Sequence, residues 1–233
     1  MPIRAILFDA YGTLFDVYSI SALAERLYPG KGAALAALWR DKQIQYSQLR
    51  TLCSTYKPFW EVTQDALVFS CAKLGLKLDL EAQNMMMGQY AKLQPFPETL
   101  AVLRQLKATG MKLAILSNGN PEMLSAVVHN AQMEDLFSHV ISVDTVRKFK
   151  TAPEAYQLGT DMLGVPPRDI VFVSSNGWDV CGASWFGYKT FWVNRSGAPM
   201  EELGVTPHGQ GRLLSDLPQF AAFGPGAKQG AAT

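Results

Sequence analysis

Four short groups of polar side chains each follow, directly or after a short loop, an apolar stretch of the chain, and they hold the residue types of nucleophilic hydrolysis. The first group begins with Asp9, and the others are residues 117–119, Lys150 and residues 174–179. A carboxylate can attack an electrophilic carbon and form an ester that water then cleaves. A nearby lysine would keep that carboxylate ionised, because an adjacent cation favours its charged form. The groups therefore predict a hydrolase with Asp9 as covalent nucleophile and Lys150 as its counter-charge.

The apolar runs before these groups predict buried parallel strands. The strand candidates are Ile3–Phe8, Met111–Leu116 and Ile170–Val173, with weaker ones at Val140–Val143 and Thr190–Val193. Helical patterns alternate with them at residues 97–109, 121–132, 153–163 and 178–186. This alternation predicts an α/β fold with a doubly wound, Rossmann-like parallel sheet. Because ligands bind at the carboxyl ends of such strands, we expect the four polar groups to meet in one site.

Residues 17–93 have helical periodicity and almost no strand signal. They predict a helical cap domain inserted after the first strand, with helices near residues 19–27, 33–55, 63–74 and 80–92. The α/β core domain is then expected to comprise residues 1–16 and 94–222. The tail, residues 223–233, consists mostly of small and polar residues and is predicted to be disordered.

The composition is balanced and indicates no polyanionic partner. Lys and Arg total 21 and Asp and Glu total 20, so neither nucleic acid nor an anionic membrane is expected to bind. The three cysteines are widely spaced, outside metal-ligand and redox spacings, and are interpreted as buried free thiols of a cytoplasmic protein. The apolar run before Asp9 is too short for a signal peptide or a membrane span.

Four ordered motifs carry a resemblance to a known family. They are Asp9–Thr13, Ser117–Gly119, Lys150 and Ser174–Asp179. In this order they resemble the motifs of the haloacid dehalogenase superfamily and, within it, the L-2-haloacid dehalogenases. Trp39-Arg40 and the later Gln45–Ser47 are similar to the cap sequence of that group. The resemblance covers nearly the whole chain, and the combination of motifs is highly specific.

The resemblance implies hydrolytic dehalogenation of short L-2-haloalkanoic acids to D-2-hydroxy acids, without a cofactor and in a homodimer. A halide leaves without a proton, whereas the phosphatases of this superfamily need a second Asp to protonate an alkoxide. That position is Tyr11 here, and the acidic pair of the last motif is reduced to Asp179. Too few carboxylates remain for a good magnesium site, so no metal is expected.

For the leaving halide, the resemblance implies a cradle of Arg40, Asn118 and the ring edge of Trp178. Arginine suits this role because it is permanently charged, carries several donors and does not act as a nucleophile. The implied clamp on the substrate carboxylate is Ser117 with nearby backbone N–H groups. An apolar wall is expected to enclose the alkyl chain. The predicted substrate-binding residues are Tyr11, Arg40, Ser117, Asn118, Tyr156, Phe59 and Trp178.

In the second half-reaction, water is expected to attack the carbonyl carbon of the Asp9 ester. Asp179 is the expected base, and Tyr156 is expected to hydrogen-bond within the same network. Thr13 is expected to orient the nucleophile by a side-chain hydrogen bond. The predicted catalytic residues are Asp9, Lys150, Asp179, Thr13, Ser174 and Asn176.

Two positions depart from the family pattern. Thr151 stands where many relatives carry Pro after the lysine, so the loop is expected to shift slightly. Asp41 follows Arg40 and would lower halide affinity if its side chain pointed into the pocket.

Three other functions compete with dehalogenation. The same attack by Asp9 could open a strained C–N ring, such as a four-membered cyclic imino acid, if a proton donor faced the nitrogen. A magnesium-dependent phosphatase is disfavoured by Tyr11. A noncatalytic binding module of the same fold is disfavoured because Asp9, Lys150 and Asp179 are all retained.

Overall fold

The computed structural model describes residues 3–223. The predicted disordered tail therefore lies outside the described residues, except for Phe223, which ends the last helix. Six parallel strands form one sheet in the order β3-β2-β1-β4-β5-β6. The strands are β1 (Ala5–Phe8), β2 (Lys112–Ser117), β3 (His139–Ser142), β4 (Ile170–Ser174), β5 (Lys189–Val193) and β6 (Gly209–Gly211). The parallel sheet confirms the predicted α/β class.

The central strand β1 is buried along its whole length, as its unbroken apolar sequence predicts. It pairs with β2 on one side and β4 on the other, so that Phe8 lies beside Ile115 and Val173. These three strands consequently end close together at one edge of the sheet. The loops that follow them open on one edge of the sheet.

Helices of the core flank this sheet and carry clear end signals. They are α5 (Thr99–Ala108), α6 (Pro121–Asn130), α7 (Pro153–Leu163), α8 (Gly177–Phe186) and α9 (Leu217–Phe223). Helices α6 and α7 each begin with proline, whose missing N–H costs nothing in the first turn. Helices α7 and α8 are each followed by a left-handed glycine.

Four helices lie between β1 and α5, in the segment predicted to be the cap. They are α1 (Ile20–Leu27), α2 (Gly32–Leu52), α3 (Phe59–Lys73) and α4 (Leu80–Gln89). Helix α3 begins four residues earlier than the periodicity predicted, because Pro58 precedes it and Phe59 already has the helical conformation. The chain leaves and re-enters the core side by side, with Asp16 N donating to Gln94 O and Phe96 N to Leu14 O.

Two elements were not predicted from the sequence, β6 and α9. The Gly-Gln-Gly sequence of β6 has little strand propensity, and the strand forms by pairing with β5. A Cβ at Gly209 would lie 2.5 Å from the Phe220 ring, so the absence of a side chain lets α9 pack there. Tertiary packing, rather than local sequence preference, therefore specifies this edge of the sheet.

The cysteine prediction is correct for Cys71 and Cys181, which are buried free thiols, and wrong for Cys53, which is exposed just after α2. Within residues 3–223, every helix is too short or too polar to cross a lipid bilayer.

Candidate active site

Asp9 follows β1 directly and lies at the centre of the predicted motifs. One carboxylate oxygen, Oδ2, accepts hydrogen bonds from Thr13 Oγ1 at 2.9 Å and Asn176 Nδ2 at 2.8 Å. Ser174 Oγ lies 3.5 Å from the same oxygen. Gly12 adopts a φ of 88°, which turns the chain so that Thr13 reaches back to Asp9. These bonds fix the carboxylate plane before any substrate binds.

The other oxygen of Asp9 faces Lys150. Lys150 Nζ lies 3.1 Å from Asp9 Oδ1 and 3.0 Å from Asp179 Oδ2, and all three side chains are buried. The ammonium also lies 4.8 Å from the centre of the Phe172 ring. A buried charge needs close partners, because removing it from water is costly. Lys150 provides this compensation for both carboxylates at once.

Asp179 is fully buried in the first turn of α8. Burial raises its pKa to about 6, against the lowering effects of Lys150 and of a hydrogen bond from Tyr156, while the negative charge of Asp9 raises it further. A carboxyl group with this pKa can exchange a proton near neutral pH. Asp179 therefore has the acid–base property expected of a general base.

Tyr156 was predicted both to contact substrate and to hydrogen-bond within the network of Asp179. It is fully buried, it joins that network, and it is not among the residues that line the cavity. Its hydroxyl donates to Asp179 Oδ1 at 2.7 Å, and its ring packs against Phe172 and Tyr188. Tyr156 therefore packs against Asp179 and helps to hold its carboxylate in place.

A small cleft opens in front of Asp9, between the core and the cap. Its lining contains both predicted and unpredicted residues: Asp9, Tyr11, Arg40, Ile44, Ser47, Gln48, Phe59, Ser117, Asn118, Lys150 and Trp178. The structure therefore brings six of the seven predicted substrate-binding residues to one cavity. Ile44, Ser47 and Gln48 were missed, although their spacing from Arg40 places them on the same face of α2.

Arg40 extends from α2 of the cap toward the core. Its Nη2 lies 3.3 Å from Tyr11 O and 3.4 Å from Asn176 Oδ1, while Nη1 donates to Gln43 Oε1 at 2.6 Å. Gln43 is fully buried and donates in turn to Thr63 Oγ1 at 2.6 Å. Gln43 was not singled out from the sequence, since one glutamine in a long helix carries no distinctive signal. It holds the guanidinium of Arg40 at the cavity.

Ser117 and Asn118 line the cavity from the core. Asn118 Oδ1 accepts from Lys150 N at 2.9 Å, so its Nδ2 is the end left to bind an anion. Ser117 Oγ accepts from Gly119 N at 3.2 Å, which leaves the hydroxyl proton available for another acceptor. A Cβ at Gly119 would lie 2.8 Å from the Tyr11 ring, so only glycine lets this loop approach so closely.

Tyr11 lines the cavity but is a poor proton donor. Burial, with the nearby Tyr90 and Asp9, raises the pKa of its hydroxyl far above the usual value. Among the described residues that hydroxyl has no hydrogen-bond partner. Its neutral ring forms an apolar wall with Phe59, the two ring centres lying 6.1 Å apart.

The two departures from the family pattern leave this cavity intact. Asp41 is exposed and is not among the lining residues, so its charge does not oppose an anion at Arg40. Thr151 follows Lys150 without displacing its contacts to Asp9 and Asp179. Among residues 3–223, no three His, Cys, Asp or Glu side chains are grouped to hold a metal ion.

Comparisons with known proteins agree with this geometry. The family of haloacid dehalogenase-like hydrolases matches residues 3–187. The (S)-2-haloacid dehalogenase of Pseudomonas sp. strain YL is 46% identical, over 88% of this chain and 88% of that protein. A crystal structure of an L-2-haloacid dehalogenase, RSc1362, is 55% identical with a TM-score of 0.94, covering 95% of this chain and 100% of that one. The Xanthobacter autotrophicus L-2-haloacid dehalogenase with chloropropionic acid covalently bound is 41% identical with a TM-score of 0.88, covering 95% of this chain and 99% of that one.

Proposed function

The chain belongs to the haloacid dehalogenase-like hydrolases, and from this premise we propose that it is an (S)-2-haloacid dehalogenase. It converts short L-2-haloalkanoic acids to D-2-hydroxy acids through an ester on Asp9. The observation that carries this proposal is the pairing of a buried, oriented Asp9 with Lys150 at the base of a cleft. The bound chloropropionic acid of the Xanthobacter relative supports a covalent intermediate.

In the first half-reaction, Asp9 attacks C2 of the substrate from the side opposite the halogen. A C–O bond forms as the carbon–halogen bond breaks, and the halide leaves with the bonding electrons. Oδ1 is the freer oxygen, since Oδ2 is held by Thr13 and Asn176. A single in-line displacement at C2 inverts its configuration. No proton is transferred in this step.

Two groups of donors hold the substrate during the attack. Arg40, Asn118 Nδ2 and the ring edge of Trp178 bind the emerging halide, and the permanent charge of Arg40 is the main attraction. Ser117 and the nearby backbone N–H groups bind the substrate carboxylate. Tyr11 and Phe59 surround the alkyl group and exclude water, which strengthens these electrostatic contacts.

In the second half-reaction, water attacks the carbonyl carbon of the Asp9 ester. Ester formation removes the charge of Asp9, so Lys150 keeps only Asp179 as an anionic partner among the side chains it contacts here. We expect water to enter beside Asp179, with Asn176 and Ser174 fixing its position. Asp179 takes one proton from water and returns it to the departing hydroxy acid. Asp9 keeps the new oxygen and loses the second proton to solvent.

We propose that this chemistry proceeds without a metal ion. The position that carries a second acid in the phosphatases is Tyr11, and Ser175 and Asn176 precede Asp179 in the last motif. Neutral side chains at these positions cannot balance a divalent cation.

The experiment is chloride release from L-2-chloropropionate in the presence of EDTA. We expect release by the native protein and its loss in Asp9→Asn, while p-nitrophenyl phosphate with magnesium is not hydrolysed. Phosphatase activity without chloride release would overturn the proposal. Ring opening of azetidine-2-carboxylate, without chloride release, would favour the cyclic imino acid alternative.

We also propose that the protein is a cytoplasmic homodimer. Exposed apolar side chains lie on the two longest cap helices, namely Leu49 and Leu52 on α2 and Val68 and Phe69 on α3. Exposed apolar patches of this kind favour association with a second copy. The buried free thiols Cys71 and Cys181 suit a reducing compartment.

A further inference from the structure

Asn120 occupies the N-cap position of α6 but does not cap that helix. Its backbone has the extended conformation typical of an N-cap, and Pro121 follows as the first helical residue. Its side chain accepts no hydrogen bond from the backbone N–H groups of α6. The backbone geometry of a cap is therefore present without its usual acceptor contact.

The side chain of Asn120 instead reaches the cap domain. Asn120 Oδ1 accepts from Trp60 N at 3.2 Å, and its Nδ2 donates to Glu122 Oε2 at 2.6 Å. The second bond fixes the orientation of the amide. Trp60 lies in the first turn of α3, where Pro58 supplies no capping side chain. A core residue thus satisfies one of the free N–H groups at the start of a cap helix.

This first turn of α3 carries Phe59 into the active-site cleft. Phe59 is buried, and its ring lies 6.1 Å from that of Tyr11 and 5.9 Å from that of Phe149. Two residues before Asn120, the same core loop presents Asn118 to the cleft. The loop that holds Asn118 and Asn120 is therefore hydrogen-bonded to α3, the helix that covers the alkyl end of the substrate.

We propose that Asn120 is a specificity-determining positioning residue that fixes Phe59 over the substrate alkyl group. The inference rests on the proposed function, since it assigns the apolar wall to a 2-haloacid. It predicts that loss of the Asn120 cap weakens substrate binding more when the alkyl group attached to C2 is larger. Chloroacetate has no such group and is the internal reference.

Kinetics of Asn120→Ala test this role. We expect KM for L-2-chlorobutyrate to rise about fivefold to tenfold, the size expected for loss of one helix cap. We expect kcat to stay within about twofold and KM for chloroacetate to change less than about twofold, because the chemistry does not involve α3. The double variant Asn120→Asp/Glu122→Gln keeps an acceptor for Trp60 N. The glutamine at position 122 can then donate to the aspartate at position 120, so KM for L-2-chlorobutyrate should return to the native value.

Asn130→Ala is the matched control, because Asn130 Nδ2 also donates from the core to the segment after the cap helices, at Ala91 O, away from α3. Equal effects of the two alanine variants, or equal losses for both substrates, would overturn the inference. Amide hydrogen exchange provides a readout that needs no turnover. The first turn of α3 should exchange faster in Asn120→Ala than in Asn130→Ala, and unchanged exchange would contradict the inference even if the protein released no halide.

Discussion

Lys150 Nζ lies 3.1 Å from Asp9 Oδ1, and both side chains are almost completely buried. At this distance, in an environment that excludes water, the attraction between the two charges is stronger than in an exposed salt bridge and offsets the cost of removing both from water. The cation is shared with Asp179 at 3.0 Å, so two carboxylates depend on one ammonium group. The formal charge of the three side chains is −1 when all are ionised.

Replacing Lys150 with Met should remove activity and destabilise the fold. The two buried carboxylates would lose their shared counter-charge, which costs about 3–5 kcal/mol in typical buried pairs. We expect kcat for L-2-chloropropionate to fall at least about a thousandfold, with a lower free energy of unfolding in urea. The control is Lys148→Met, which breaks only a surface ion pair with Glu154. Activity within tenfold of the native protein would show that Lys150 does not maintain the nucleophile.

Hydrolysis of the ester should depend on pH through Asp179. Its pKa is raised to about 6 in the free enzyme, so the base is lost as the pH falls through that value. In the ester the Asp9 charge is gone, and the acidic limb of the hydrolysis rate should lie lower. Single-turnover measurements at different pH values test this. A rate that does not fall at acidic pH, or full hydrolysis in Asp179→Asn, would contradict the assignment.

The same raised pKa predicts how stability depends on pH. The ordinary value is 3.8, so the folded protein binds a proton at Asp179 more tightly than the unfolded chain does. The resulting stabilisation is present below about 4 and is lost as the pH rises through about 6. The free energy of unfolding of the native protein, minus that of Asp179→Asn, should therefore decrease over this range. A difference that is constant with pH would contradict the raised pKa.

Gln43→Glu should weaken halide binding, although the side chain at position 43 does not contact the substrate. The new carboxylate would lie beside the Arg40 guanidinium, which now donates to Gln43 Oε1, and would neutralise it. We expect the inhibition constant for bromide to rise about tenfold or more. Gln45→Glu makes the same charge change on the exposed face of the same helix and serves as the control. Equal inhibition constants in the two variants would show that Gln43 does not support halide binding.

Phe69→Glu should dissociate the proposed homodimer. A charge placed in the apolar patch of α2 and α3 would have to be removed from water at the interface, a cost that Lys42, 4.6 Å from the Phe69 ring, offsets only in part. Sedimentation velocity should show a monomer for this variant and a dimer for the native protein. The control is Trp185→Glu, which places the same charge at another exposed aromatic residue, on α8. A native monomer, or a dimer in Phe69→Glu, would contradict the proposed interface.

The sequence predicted those parts of the fold that local pattern determines. The unbroken apolar run of β1 and the proline that begins α7 marked a strand and a helix at nearly their observed positions. The edge strand β6 escaped prediction because its glycines form a strand only through pairing with β5. The first turn of α3 was not predicted, because Pro58 precedes it and no capping side chain marks the start of the helix.

The motif order likewise predicted which residues meet at Asp9, since consecutive loops follow neighbouring parallel strands. The order of the motifs could not predict contacts that depend on how the cap packs against the core. The motif indicated that Tyr156 lies near the site, and the structure shows that its hydroxyl donates to Asp179. Gln43 and Asn120 act through other residues, so neither carries a recognisable chemical signature in the sequence.

The central claim is that Asp9 itself forms the ester and receives the oxygen of water. The most direct test is a single turnover of L-2-chloropropionate in oxygen-18 water with enzyme in excess, followed by mass spectrometry of the peptide that contains Asp9 and of the lactate. We expect one oxygen-18 atom in Asp9 and unlabelled lactate. Label in the lactate with none in Asp9 would mean that water attacks C2 directly, and it would contradict the covalent mechanism.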